Sequence, residues 1–209
     1  MKTNNFIFDL DGTLWNTSEI SAAAYNDVIQ KDGRSSLHVT AERIRAEFGK
    51  PIGKIGESLF PELAPEDQKE LIEACSRNND IFVANDQTDV LYPGVKDTLI
   101  RLSRSCNIYI VSNCLSGYVE LFMEKYGLDK YIRDFGHLGR TENSKDKNIL
   151  AIMKRNGIKE AVYVGDTMGD YKAAMLAGVP FIFASYGYGD VSMAKYRVSS
   201  FSELLGFVK

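Results

Sequence analysis

Four short apolar runs, each closing on a small or acidic residue, restrict this chain more than anything else in it. Phe6-Ile7-Phe8 leads into Asp9 and the turn Asp11-Gly12-Thr13. Asn107 to Ser112, Ala161 to Gly165 and Pro180 to Ala184 repeat the pattern. An apolar run of this length, bounded by a turn residue, is what a strand buried on both faces requires. Amphipathic helices fit between the runs. Val95, Leu99 and Leu102 follow Pro93-Gly94 at helical spacing. Ile149, Ile152 and Met153 follow Ser144 as N-cap, with Gly157 as the stop. Strands alternating with helices predict an α/β fold: a doubly wound parallel, Rossmann-like sheet joined by right-handed crossovers.

The stretch from residue 15 to 91 breaks that rhythm. It offers helices over Thr17 to Lys31, Thr40 to Phe48 and Pro65 to Asn79, and no strand. So long a stretch is not a single loop. It is expected to be a small α-helical domain inserted into a core made of residues 1–14 and 92–209. A chain of 209 residues can bury one core and a smaller appended one.

Charge and cysteine content narrow the partners. A net charge of −3 provides no electrostatic footprint for nucleic acid or an anionic membrane. Cys75, Cys106 and Cys114 are odd in number and match no zinc spacing, so free thiols in a reducing compartment are expected. Only Met1 to Asn5 precede the first strand, and no apolar stretch approaches the roughly 18–20 residues that span a bilayer. The expectation is a cytoplasmic protein that acts on a small molecule.

The chemistry-bearing residues fall at or near strand carboxyl ends, which share one edge of an open α/β sheet, where ligands bind. Asp9 and Asp11 can both enter one crevice, and Gly12 permits a tight turn with its amide close to an anion. A carboxylate can attack phosphorus, and a second can move the proton. Ser112 and Asn113 can donate to phosphate oxygens. Lys145, with Lys147 as the alternative, opens a helix, where its charge opposes the macrodipole unless an anion lies beside it. Gly165-Asp166-Thr167-Met168-Gly169-Asp170 brings two more carboxylates. So many negative groups repel one another, and a hard divalent cation such as Mg²⁺ relieves them. A metal and a lysine in such a crevice make a phosphate site.

Asp9-x-Asp11-Gly12-Thr13, Ser112-Asn113, a downstream lysine and Gly165-Asp166-x-x-x-Asp170 resemble, in order and spacing, the haloacid dehalogenase-like hydrolase superfamily. The inserted helices look like a type-one cap. Tyr92-Pro93-Gly94-Val95 is similar to the return into the core of phosphoglycolate phosphatase-like and β-phosphoglucomutase-like members. The resemblance implies an Mg²⁺-dependent phosphatase acting on a small phosphorylated metabolite. It implies Asp9 as nucleophile and metal ligand, and Asp11 as general acid and base with its backbone carbonyl on the metal. Lys145 would neutralise the nucleophile and the phosphate, and Ser112 would bind phosphoryl oxygens. Gly12, Thr13 and Asn113 join Ser112 as substrate-binding candidates. Asp166 would bind the metal, and Asp170 would support it directly or through water. The chain departs from the family at Trp15-Asn16-Thr17-Ser18, where many relatives carry an acidic residue before Ser or Thr, and at Ser144-Lys145-Asp146-Lys147, where relatives often show Lys-Pro-x-Pro.

Two alternatives remain at this level: a phosphomutase using the same aspartyl-phosphate, and a non-catalytic phosphometabolite-binding module. A dehalogenase does not need Asp11 as a leaving-group acid. Specificity for the leaving group is expected to reside in the inserted domain, which is expected to close over the sheet edge. Lys50 and Lys54 on its Gly-punctuated loop are the candidates to reach the leaving group.

Overall fold

A computed structural model describes residues 1–137 and 144–209. The chain divides into two compact units, Met1–Asn16 with Val90–Lys209, and Thr17–Asp89.

In the first unit, strands β1 (Asn5–Phe8), β2 (Asn107–Ser112), β3 (Asp134–His137), β4 (Val162–Gly165), β5 (Phe181–Ala184) and β6 (Tyr196–Val198) form one sheet. Among the described residues the sheet is six-stranded, in the order β3-β2-β1-β4-β5-β6, and every pairing is parallel. The four apolar runs form β1, β2, β4 and β5, which occupy the middle of the sheet and are buried almost throughout. The edges β3 (Asp-Phe-Gly-His) and β6 (Tyr-Arg-Val) escape the sequence reading. An edge strand is paired on one side only and does not need a continuous apolar run to be stable.

Successive side chains of β1 go to opposite faces of the sheet. Ile7 packs in the core cluster with Tyr109, Tyr163, Ile149, Ile152 and Ala173. Phe8 points the other way, with its ring 5.3 Å from that of Phe201. Ile149 and Ile152 belong to an eleven-residue helix, Lys145–Arg155, and Ala173 to the helix Met168–Leu176. The apolar face expected after Pro93-Gly94 forms a helix over Val95–Leu102, with Val95, Leu99 and Leu102 fully buried. Gly157 is left-handed just beyond Lys145–Arg155, as expected of a C′ residue. Ser144 is the N-cap in extended conformation, but its side chain makes no capping bond.

The second unit contains helices α1 (Ser18–Asp32), α2 (Ala41–Arg45), α3 (Ile52–Leu59) and α4 (Pro65–Asn85). These precede the helices of the first unit, which continue as α5 (Val95–Leu102), α6 (Tyr118–Tyr126), α7 (Lys145–Arg155) and α8 (Met168–Leu176). The second unit has its own core of Tyr25, Ile29, Ile44, Leu59, Phe60 and Leu71 with their neighbours. Its helix α2 is shorter than expected, and α4 runs six residues beyond Asn79, to Asn85. No helix among the described residues is long and apolar enough to cross a membrane.

The expected basic loop at residues 50–56 is instead mostly helix α3. Lys54 pairs with Glu57 at 2.7 Å. Lys50 lies 2.7 Å from Glu47, whose side chain is 1% exposed and also takes Arg43 at 3.1 Å. Lys50 thus compensates a buried carboxylate, and its place in the sequence has a structural reason within the unit.

Two glycines that read as loop punctuation do different work in α3. A Cβ on Gly56 would lie 3.1 Å from Ile72 Cγ2 and 3.2 Å from the Gln68 carbonyl, both on α4. A Cβ on Gly53 meets nothing within 4 Å. Gly53→Ala is therefore expected to stabilise by about 0.4–1 kcal/mol, because it restricts the unfolded chain without a clash. Gly56→Val is expected to destabilise by about 1–3 kcal/mol by wedging α3 off α4. Urea unfolding of both variants checks this, and shifts of the same sign would contradict it.

Candidate active site

The sheet order reverses direction at β1, which has β2 on one side and β4 on the other. Crossovers leave that point in opposite directions, opening a crevice beyond the carboxyl ends of β1 and β4. Asp9 is the residue after β1, and its amide donates to the Val164 carbonyl at 2.8 Å, so its backbone is pinned to β4. Asp166 is the residue after β4. Lys145 is the first residue of α7, and Asp170 lies in the first turn of α8. All four are buried.

Lys145 Nζ donates to Asp9 Oδ1 at 2.8 Å and to Asp170 Oδ1 at 2.7 Å. The lysine that opposed its own helix dipole is thus held by two carboxylates. Lys147, the alternative, is exposed. Burial works against the charge on Lys145, but Asp170 and Asp9 outweigh it and hold the ammonium above its ordinary pKa. Asp170 is committed on both sides. Its Oδ2 accepts from the Thr167 amide at 3.0 Å and hydroxyl at 2.6 Å, completing a capping box for α8. Its Oδ1 also lies 3.4 Å from the Tyr163 hydroxyl.

Asp9, Asp166 and Asp170 each offer one carboxylate oxygen, all within 4.8 Å of one another. Burial first, then Asp170, pushes the Asp9 carboxyl up against the pull of Lys145. The same order of causes, with Asp9 added, raises Asp166 well above the usual carboxylate range. Three carboxylates against one ammonium leave an excess of negative charge in a dry site. All-oxygen donors with that excess fit a hard divalent cation such as Mg²⁺.

The loop after Asp9 folds tightly on itself. The Gly12 amide donates to the Trp15 carbonyl at 2.9 Å, and the Thr13 and Leu14 amides return to Leu10. The Gly12 amide, expected to meet an anion, is therefore already bonded within the turn. Gly12 itself has φ +81°, and a Cβ there would overlap the Asp166 carboxylate. Thr13 Oγ1 donates to Asp166 Oδ1 at 3.2 Å. Both residues thus brace Asp166. Asp11 lies outside the Lys145 cluster: its Oδ1 accepts from Trp15 Nε1 at 2.9 Å and from the Tyr118 hydroxyl at 3.2 Å.

Ser112 ends β2 on the same sheet edge, buried, with its Oγ accepting from the Cys114 amide at 3.3 Å. Asn113 follows it, half-buried.

One segment of the site went unnoticed in the sequence, Tyr186-Gly187-Tyr188-Gly189 after β5. The Tyr188 amide donates to Asp166 Oδ2 at 2.7 Å, and the Tyr186 hydroxyl to the Thr13 carbonyl at 2.9 Å. A Cβ on Gly187 would overlap Asp166 and the Gly12 carbonyl. The Gly-x-Gly spacing at a strand end was the available signal.

The family model Haloacid dehalogenase-like hydrolase matches residues 6–184 of this chain. The chain is 30% identical over 217 residues to the phosphoglycolate phosphatase of Vibrio parahaemolyticus, covering 96% of this chain and 94% of that protein. The structure superposes with a TM-score of 0.84 on a haloacid dehalogenase-like hydrolase from Streptococcus pneumoniae, at 20% identity over 98% of this chain and 97% of that one. CbbY from Rhodobacter sphaeroides, crystallised with phosphate, gives a TM-score of 0.80 at 20% identity, covering 96% of each chain. At that identity these two structures speak to the fold.

Removing one partner from a buried ion pair costs about 3–5 kcal/mol, because a charge is left uncompensated. Lys145→Ala, measured in EDTA, is expected to lose stability of that order. Lys147→Ala is expected to stay within about 0.5 kcal/mol, as substitutions at exposed positions do. Equal effects in urea unfolding would contradict the assignment of Lys145 to the cluster.

Proposed function

The chain belongs to the haloacid dehalogenase-like hydrolases, and from that premise we propose that it is a phosphatase cleaving a small phosphomonoester through an aspartyl-phosphate on Asp9. The observation that carries the reading is the buried Asp9 carboxylate, held at 2.8 Å by Lys145 beside Asp166 and Asp170. A carboxylate so placed is a nucleophile whose charge and direction are controlled by its neighbours.

In this reading Lys145 orients Asp9 and offsets the charge that gathers on the phosphoryl group. Ser112 and Asn113 donate to its oxygens. Asp11 carries a proton to the leaving ester oxygen as the bond from phosphorus to that oxygen breaks and the bond to Asp9 forms. It then takes a proton from the water that attacks phosphorus and releases Asp9. Asp9 and Asp166, with the Asp11 backbone carbonyl, would hold Mg²⁺. When bound, the ion would draw negative charge from the transferring group. Asp170, whose oxygens are engaged by Lys145 and Thr167, contributes by fixing Lys145 and through its charge. Gly12 and Thr13 support Asp166 and thereby the metal.

The name of the Vibrio parahaemolyticus relative makes 2-phosphoglycolate the first substrate to test, within a panel of phosphometabolites scored by kcat/KM.

Asp9→Asn is expected to abolish turnover while the fold survives, since an amide has nearly the same shape and is a poor nucleophile. Near-wild-type kcat in a contamination-free preparation would overturn the covalent reading. Exhaustive dialysis against EDTA is expected to remove activity, Mg²⁺ to restore it and Ca²⁺ to fail, because calcium takes more oxygens at longer distances. Full activity without metal would remove Mg²⁺ from the account.

A further inference from the structure

We propose that Trp15 and Tyr118 are positioning residues for Asp11, holding its Oδ1 as an acceptor so that the transferable proton sits on Oδ2. This rests on the reading of Asp11 as the acid and base of a phosphomonoester hydrolysis.

The Trp15 indole Nε1 donates to Asp11 Oδ1 at 2.9 Å, and the Tyr118 hydroxyl donates to the same oxygen at 3.2 Å. Both rings are buried. The approach of Trp15 to Asp11 is set by the backbone. Asp11 and Trp15 form an isolated bridge, and Trp15 forms a second with Leu91. The side chain is then gripped by a cluster of rings. Tyr118 and Phe122 each lie 5.1 Å from the indole, and Tyr126 lies 6.5 Å away. The direction of the N–H bond is thus fixed by packing.

An indole nitrogen is a donor only. Oδ1 must therefore present a lone pair to Trp15 whether Asp11 is ionised or protonated. A carboxylic acid has a single O–H, and with Oδ1 occupied as acceptor that hydrogen belongs on Oδ2. In the first half-reaction Oδ2–H gives its proton to the ester oxygen as the bond from phosphorus to that oxygen breaks and the Asp9 oxygen bonds to phosphorus. In the second, Oδ2 takes a proton from water as the water oxygen bonds to phosphorus and the Asp9 bond breaks. The proton returns to the same atom, and Trp15 and Tyr118 are not consumed. Removing these donors takes away the two hydrogen bonds that commit Oδ1 to accepting.

The proposal predicts a loss that grows as the leaving group becomes harder to expel, because only a poor leaving group needs the proton. The Mg²⁺-loaded full chain is assayed with phenyl phosphate and p-nitrophenyl phosphate, which share the aryl ring and differ, through the para nitro group, in leaving-group acidity. We expect Trp15→Phe to lower kcat/KM for phenyl phosphate by about tenfold or more, within the range assigned to acid–base catalysis. Tyr118→Phe, which removes one oxygen and keeps the ring, is expected to lower it by about threefold or more. Both are expected to keep p-nitrophenyl phosphate within about twofold. If Trp15→Phe fails to fold, Tyr118→Phe carries the test alone. Equal loss on both esters, or no loss, overturns the proposal. Asp11→Asn tests the underlying reading separately. If it shows no leaving-group dependence, the acid–base role of Asp11 falls and the proposal with it. If it shows that dependence while the aromatic variants do not, the positioning role alone is wrong. Because the chain has a single tryptophan, its one indole N–H cross-peak in a ¹⁵N–¹H spectrum reports the bond directly. The peak is expected to move upfield in Asp11→Ala, and an unmoved peak counts against the bond.

Discussion

One ammonium group between two buried carboxylates organises the sheet-containing unit. Lys145 Nζ reaches Asp9 at 2.8 Å and Asp170 at 2.7 Å. These residues come from three different elements: the end of β1, the first turn of α8 and the start of α7. In a dry interior an unpaired charge is far more costly than in water, so Lys145 needs a carboxylate beside it and both carboxylates need Lys145. The ion pairs therefore tie the switch point of the sheet to both helices. They also leave the site short of positive charge, since Asp166 shares the crevice without a lysine of its own. The buried site combines an oriented carboxylate at Asp9 with a demand for a cation.

Around that cluster the chain is fitted closely. Gly12 and Gly187 approach Asp166 so nearly that a Cβ on either would overlap it. The Tyr188 amide and the Thr13 hydroxyl each take one of its oxygens. Hydrogen bonds from neutral donors fix a carboxylate's direction without cancelling its charge. Asp166 is consequently oriented without a salt-bridge partner of its own among the described residues, which suits a metal ligand. Asp170 receives the opposite treatment, with one oxygen on Lys145 and the other on the helix cap.

The middle of the sheet was legible because its strands are buried on both faces and must be apolar throughout, as Phe6-Ile7-Phe8 and Val162–Val164 are. Edge strands β3 and β6 were not, because Asp134 and Arg197 can sit in a strand that is paired on one side. Helix α3 was hidden by Gly53 and Gly56. Glycine weakens a helix locally, and the close fit of Gly56 against Ile72 is a tertiary fact that no local rule contains. At the site, Asp9, Asp11, Lys145, Asp166 and Asp170 could be found because each sits at a strand end or helix start and carries charge. The roles of Gly12 and Thr13 as braces, and the whole Tyr186–Gly189 segment, depend on distances between residues far apart in sequence. Trp15 carried no signal of its own in the sequence, because its bond to Asp11 depends on how the turn closes.

Asp9 and Asp11 are two residues apart, yet the fold gives them opposite surroundings. Asp9 faces an ammonium and other carboxylates, and its oxygen is aimed by charge. Asp11 faces an indole and a phenol, and its oxygen is aimed by neutral donors. A nucleophile benefits from a fixed cation, which keeps it ionised and directed. A group that must both give and accept a proton is better served by donors that are present in either state and that do not titrate alongside it. Separating two carboxylates by their surroundings is a general way of assigning them different work. Here the separation follows from the turn between them. Strand β1 points Asp9 at the switch point, and the reversal through Gly12 brings Trp15 back over Asp11. One short loop thus provides both surroundings, because the chain leaves the sheet immediately after the first carboxylate and closes on the second.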